Sequence, residues 1–372
     1  MKKVGKEVCF LKTKEGNPRN GEGSFIRLRD GRIMYAYTEY YGASWHDHAT
    51  ARISAIYSSD EGETWSERSV LMEKDDEALN IMSVSLIRLG NGDLGILYLR
   101  KFKKQDQILC MPHFMRSSDD GKSFSSPISC VSKYGYYVVN NDRIIRLKSG
   151  RILFPFAYHG ESGNKLCAGS IGVCYSDDDG RSFCMTRSFV RSPYNDKIQL
   201  QEPGLYELSD GRLWMFCRTA YGHQYQCFSN DKGESFDRVT PAFRFTSPDS
   251  PMQVRAAHGY TLAVFNPLGY SCIRDDREQW NSPKRTPFVL AINRDGGVSF
   301  SDTETVCEGG KLLPFSACCR FLEDDVENSY CYPAITEVND GFLVAYYHSD
   351  NTIVCLNASK ITKVSLAELE NG

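Results

Sequence analysis

Several charged residues and one tyrosine stand where they could do chemistry. Arg218 closes the apolar run LWMFC, and Arg285 opens RTPFVLAIN. An unpaired charge is costly to bury, so each guanidinium must reach solvent or meet an anion. Glu202 lies sixteen residues before Arg218, directly ahead of Pro203. Tyr332 precedes Pro333 in YPAITEVNDG, and Asp47 sits between His46 and His48. Carboxylates move protons, and arginines hold carboxylates in charge-assisted, partly bidentate pairs. A phenol titrates at about pH 10 and needs a base beside it to act as a nucleophile. Blander readings stand beside these: a packed strand aromatic for Tyr332, a strand-edge carboxylate for Glu202, surface arginines, a solvated loop for Asp47. Metal chemistry has less support. The seven histidines form no HExxH, and the fourteen cysteines form no CxxC pair. Buried free thiols in a reducing compartment are the expectation, with no metal and no diffusible cofactor.

Residues so far apart need a scaffold that gathers them. One phrase recurs five times: SSDEGETW (Ser58–Trp65), SSDDGKSF (Ser117–Phe124), SDDDGRSF (Ser176–Phe183), SNDKGESF (Ser229–Phe236) and NRDGGVSF (Asn293–Phe300). The centres Asp60, Asp119, Asp178, Asp231 and Asp295 are 59, 59, 53 and 64 residues apart. Each phrase reads as a turn in which Asp accepts backbone N–H bonds, Gly takes a conformation other residues resist, and the aromatic is buried. A second series interleaves with it. Apolar strands flank Asp30-Gly31, Asn91-Gly92, Ser149-Gly150, Asp210-Gly211, His258-Gly259 and Asp340-Gly341, each a β-hairpin signal. Six hairpins, five followed by the Asp turn, give about four short strands per unit. The expected fold is all-β, a six-bladed β-propeller of four-stranded antiparallel blades in one domain, residues 1–372. The sixth unit is short. Its final strand is expected near Thr352–Leu356, and Lys6–Leu11 (KEVCFL) is the candidate for its missing strand. Helical periodicity is confined to Ser365–Glu370.

The five Asp phrases resemble the Asp boxes of the sialidase (neuraminidase) superfamily, and the similarity to family 33 glycoside hydrolases covers nearly the whole chain. Asp boxes specify a fold and not an activity; the remaining matches bear on the site. In QEPGLYELSDGRLWMFCR the family pattern puts a Glu before the hairpin and an Arg sixteen residues on, matching Glu202 and Arg218. Arg285 stands eight residues before the Asn293 phrase, where the family has a triad arginine. Tyr332 lies eight residues before Asp340, the place of the family's nucleophile. The first blade departs from the pattern: NPRNGEGSFIRLRDG lacks the family's Arg-Ile-Pro. Arg19 is the nearest counterpart, two residues further from the turn than expected. Asp47 falls between the first hairpin and the first Asp turn, where the acid/base belongs.

The resemblance implies an exo-acting hydrolase of a terminal sialic-acid-like (ulosonic acid) sugar in a glycoconjugate. Arg19, Arg218 and Arg285 would hold its carboxylate, a task lysine performs poorly. That negative charge beside the anomeric carbon disfavours a carboxylate nucleophile and suits a neutral tyrosine. Tyr332 would attack with Glu202 as base, and Asp47 would protonate the leaving oxygen and then activate water. Trp45 and His48 are candidate pocket residues. So are Asp142 and Arg143 in VVNNDR, which precedes the third hairpin much as QEPGLYEL precedes the fourth. Two alternatives remain: a hydrolase of another terminal sugar, favoured by the altered first blade, and a carbohydrate-binding propeller without catalysis.

Bulk properties exclude other classes. Net charge is −3, so no basic field points to nucleic acid or anionic membrane. The opening MKKVGKEVCFLKTKEG has no apolar run, and no segment approaches the roughly 20 apolar residues of a spanning helix. A cytoplasmic protein is expected. Oligomeric state has no sequence signal.

Overall fold

The computed structural model describes residues 2–161, 169–192, 199–268, 285–294, 306–308, 311–313, 319–325, 328–349 and 356–370. It is an all-β, six-bladed propeller of antiparallel blades, and its one helix among the described residues is Leu366–Glu370. Blade 1 runs outward through Arg19–Arg27, Ile33–Tyr40, Ala51–Ser58 and Ser69–Met72. Blades 2 to 5 begin with the inner strands Ala78–Arg88, the broken pair Tyr137–Val138 and Ile145–Arg146, Gln201–Glu207, and Gln253–Ala257. Blade 6 contains Tyr330–Val338, Gly341–His348 and Ala358–Ser365, and its outermost strand is Lys6–Leu11. The N-terminal strand thus completes the short unit, pairing antiparallel with Ala358–Ser365. The third strand of that blade lies later than the Thr352–Leu356 expected; Thr352–Cys355 fall outside the described residues.

The strands are apolar on both faces because each blade is covered on both sides by its neighbours. Six buried clusters fill six seams. Met34 and Ala36 meet Leu86 and Ile96 between blades 1 and 2. Leu97 and Phe114 meet Phe154 and Phe156 between blades 2 and 3. Leu153 and Val173 meet Leu213 and Met215 at the next seam. Trp214 and Phe216 meet Val254 and Phe265 at the fourth. Leu262 and Phe288 meet Phe342 and Val344 at the fifth. Ala345 and Ile361 meet Phe25 and Tyr35 at the last, which closes the ring.

The Asp turns lock these seams from the rim. In the first, Thr64 donates to Asp60 from its backbone N (2.9 Å) and its Oγ1 (2.5 Å), while Ser58 Oγ accepts from Gly62 N at 2.9 Å. Glu61 and Gly62 both adopt positive φ, 57° and 85°. The closing aromatics reach inward: Trp65 packs in the seam of blades 6 and 1, Phe124 in that of 1 and 2, Phe183 in 2 and 3, and Phe236 in 3 and 4. Asp295 and the rest of the fifth phrase beyond Arg294 lie outside the described residues.

Candidate active site

Each inner strand starts on the face opposite its hairpin turn, so residues near its start gather at one mouth. In four blades that start carries a β-bulge, and the residue in the bulge has left-handed backbone: Glu22 (φ 52°), Ser83 (54°), Glu202 (43°) and Tyr332 (58°). Asp142 (φ 56°) holds the corresponding place in the broken strand of blade 3. Left-handed backbone is unfavourable for a residue with a Cβ, and such strain collects at functional positions. A bulge also re-aims its side chain, here toward the funnel.

Two groups of side chains result. In the first, the Tyr332 hydroxyl donates to Glu202 Oε1 at 2.7 Å. Arg218 Nη1 donates to Glu202 Oε2 at 2.8 Å and reaches Tyr332 Oη at 3.4 Å. Arg218 Nε donates to Asp249 Oδ1 at 2.5 Å. The Arg285 guanidinium lies 5.9 Å from the Tyr332 ring centroid, and its Nη1 points at the buried Cys331 thiol at 3.1 Å. Burial pushes the Tyr332 phenol well above its ordinary value, and the Glu202 charge adds to this against the pull of Arg218 and Arg285. The phenol is therefore neutral at working pH, with its proton already aimed at a carboxylate.

The second group surrounds Arg19. Its Nη2 donates to Glu22 Oε1 (2.8 Å), its Nη1 to Asp47 Oδ1 (2.6 Å) and its Nε to Tyr347 Oη (2.8 Å). Glu22 also accepts from Ser83 Oγ. Desolvation works against ionisation of Asp47, but Arg19 and Lys101 outweigh it and hold the carboxyl well below its ordinary range. That carboxylate stays 64 % exposed, open to the funnel. The Asp47 carbonyl is pinned from blade 2 by Asn80 Nδ2 and Lys101 Nζ, each at 2.9 Å. Tyr347 joins the two groups: its hydroxyl holds Arg19 and its ring meets that of Tyr332 edge to face at 5.6 Å.

Tyr332, Glu202, Arg218 and Arg285 thus come together as the sequence suggested, and Arg19 and Asp47 pair with each other beside them. Trp45 offers its carbonyl to Arg19 at 3.4 Å, and its ring stacks on His46. His48 meets the edge of Tyr136. Asp142 and Arg143, expected on the pocket wall, are buried and bonded to residues of other blades. Protein donors already surround the Asp142 carboxylate. Ser24 Oγ and Gln253 Nε2 each lie at 2.8 Å, and the Ile335 backbone N lies at 3.3 Å, so one side chain ties blades 1, 5 and 6 at the axis. Arg143 bonds Gln253 Oε1, and burial with the nearby Arg255 charge draws its guanidinium down to about 10.

Glu22, Ser83, Lys101, Asp249 and Tyr347 escaped sequence reading. A signal existed for the first two. Glu22, Ser83, Glu202 and Tyr332 each stand eight residues before the first residue of their hairpin turn. Asp249, in SPDSP, and Tyr347, within an apolar run, had none.

Comparisons agree with the fold. Residues 91–345 match the family model described as "BNR repeat-like domain". A Dyadobacter fermentans protein of unknown function superposes with a TM-score of 0.70 at 18 % identity, over 97 % of this chain and 98 % of its own. An intramolecular trans-sialidase from Ruminococcus gnavus gives 0.68 at 13 %, covering 97 % of both chains. A Trypanosoma rangeli sialidase mutant displaying trans-sialidase activity gives 0.69 at 14 %, over all of this chain and 61 % of its own. At these identities the likeness is one of fold. No curated protein matches the sequence.

Proposed function

The chain belongs to the BNR repeat-like domain family, and from that premise we propose that it is an exo-acting, retaining glycoside hydrolase that removes a terminal sialic-acid-like sugar. The observation that carries this reading is the Tyr332–Glu202–Arg218 constellation: a neutral phenol bonded to a carboxylate, with a guanidinium on both.

In the first step the Tyr332 oxygen attacks the anomeric carbon and its proton passes to Glu202. The bond to the leaving oxygen breaks as Asp47 delivers a proton to that oxygen. In the second step Asp47 takes a proton from water, the water oxygen displaces Tyr332, and Glu202 returns the proton to the phenolate. Two displacements retain the configuration. Asp47 is held ionised in the free protein by Arg19. A ligand carboxylate drawn toward the arginines competes for Arg19 and frees Asp47 to carry its proton. The chemistry asks for no cofactor.

The test is hydrolysis of an aryl α-sialoside by the protein and by Tyr332→Phe, with the anomer of the first product followed by NMR. No turnover of several ulosonic-acid glycosides by the unaltered protein sinks the reading. One observation favours a second reading, hydrolysis of another terminal sugar: Arg19 is fully engaged by Glu22, Asp47 and Tyr347. Turnover of neutral aryl glycosides in the same assay, without turnover of acidic ones, would establish it.

A further inference from the structure

We propose that Asp249 is a built-in stand-in for the ligand's carboxylate, which an acidic sugar must displace from Arg218 before it can bind. The proposal rests on the acidic-sugar reading above and adds a residue that sets how tightly such a sugar is held.

Arg218 is shared between two carboxylates: Glu202 on Nη1 and Asp249 on Nε. Glu202 is buried with the phenol it serves. Asp249 is different, with its side chain 42 % exposed while Arg218 is 11 % exposed. Asp249 therefore covers Arg218 from the funnel side, where a ligand would arrive. It also faces Arg285: desolvation opposes its ionisation, and the charges of Arg218 and then Arg285 overcome this and hold it below its ordinary value. An anion bonded to Arg218 and within the field of Arg285 occupies the place the site would offer a ligand carboxylate. Arg285 itself pairs with no carboxylate among the described residues and points at a thiol.

The backbone around Asp249 is fixed. Pro248 and Pro251 flank the Asp249-Ser250 pair. Ser247 Oγ donates to the Pro248 and Ser250 carbonyls at 2.8 and 3.2 Å. Ser250 Oγ donates to Asn266 Oδ1 at 2.6 Å and lies 3.1 Å from Cys331 Sγ, next to the nucleophile. With its loop anchored on the strand of Tyr332, Asp249 can yield only by turning its side chain or by taking up a proton.

The arginines keep Asp249 ionised in the free protein, but a ligand carboxylate brought onto the same guanidinium repels it, and that pair lowers its energy by protonating one member. Binding of an acidic sugar then draws a proton onto Asp249, so affinity rises as pH falls. The charged groups facing Asp249 are Arg218 and Arg285, with Glu202 across Arg218 and the Cys331 thiol behind Arg285. All four remain in a variant at position 249, so the difference between proteins isolates Asp249.

The experiment is titration calorimetry of a 2,3-didehydro sialic acid and of its methyl ester. The proteins are the full chain, Asp249→Asn and Asp249→Ala, compared from pH 5 to 8 with melting temperatures as a check on folding. Displacing the Asp249 pKa by one unit corresponds to about a tenfold change in affinity. Both variants are expected to bind the acid at least about tenfold more tightly than the unaltered protein at pH 8. The gap is expected to close toward pH 5, with proton uptake seen only in the unaltered protein and ester binding nearly equal in all three. Equal or weaker binding of the acid by folded variants at every pH overturns the proposal and leaves the acidic-sugar reading intact. No binding of the acid by any of the three proteins overturns both.

Discussion

The Tyr332 hydroxyl and Glu202 Oε1 meet at 2.7 Å across 130 residues of chain, and both residues hold left-handed backbone to do so. Neither conformation is needed for pairing in their strands, which would run straighter without the bulges. The pair therefore carries strain that only its placement explains. Glu202→Gln keeps the shape but cannot accept the phenol's proton. It is expected to lower kcat by roughly 10²–10⁴-fold, the usual contribution of a positioned proton-transfer group. Tyr332→Phe is expected to abolish retaining turnover. Steady-state kinetics with an aryl α-sialoside checks both, and unchanged kcat in either variant contradicts the assignment.

Asn80 and Lys101 place Asp47 by holding its backbone carbonyl. Asn80 Nδ2 also bonds the Ala49 carbonyl at 2.8 Å, so it clamps the Asp47 loop at two points. Asn80→Ala should loosen that loop. If Asp47 is the acid, the loss falls on substrates with poor leaving groups. Alkyl glycosides are expected to slow by about 10²-fold, and activated aryl glycosides much less. Equal loss on both would assign Asp47 another task.

Gly21 allows Tyr347 to reach Arg19. A Cβ at position 21 would fall 2.0 Å from Tyr347 Cε1. Gly21→Ala must push the ring aside, at a cost of about 1–3 kcal/mol for overpacking. Denaturant unfolding should show that loss. Tyr347→Ala opens a cavity of its own but removes the clash, so the double variant should lose less stability than the two single losses summed, and its activity should stay low because the partner of Arg19 Nε is gone. Full activity in the double variant would show that Tyr347 does not position Arg19.

The fold was largely legible because its signals are local. Asp60 and its counterparts need only their own turn, and the hairpin glycines only theirs, so eight-residue phrases reported every blade they occupy. Glu202, Arg218 and Tyr332 were legible by their distance from those turns. Arg19 was read as doubtful because blade 1 carries a different phrase. The structure shows what that phrase encodes: Glu22 in the bulge and Gly21 beneath Tyr347. Asp142 was misplaced for a physical reason. A polar run before a hairpin looks the same in sequence whether it faces ligand or axis, and only its donors from three other blades tell the two apart. Asp249 has no local signature, since its partner Arg218 lies 31 residues away.

The Asp turns predict an acid limit of stability. Hydrogen bonds from Thr64 hold Asp60 at about 2, below its ordinary 3.8. Burial opposes ionisation of Asp178, but bonds from Ser182 and Ser176 bring it also to about 2. Carboxyls lowered in the folded state contribute stability above the unfolded value, and the contribution is lost as pH falls through the folded one. Melting temperature is expected to hold above pH 4 and to drop between pH 4 and 2. Asp60→Asn should melt lower at neutral pH and lose less on acidification. A variant with the unaltered protein's pH slope would remove Asp60 from the cause.

The closing strand pair has a consequence for how the chain is made. Lys6–Leu11 is synthesised before every other strand of the propeller, yet its partner Ala358–Ser365 is synthesised after all of them. At about 5–20 residues per second, synthesis of the intervening chain takes on the order of tens of seconds. For that time the first strand has no mate and the first blade has one bare seam. The nascent ring is an open arc with a bare blade face at each end, and its lone first strand has unpaired edges of the kind that recruit strands from other chains. Its latch shuts only once Ala358–Ser365 has emerged.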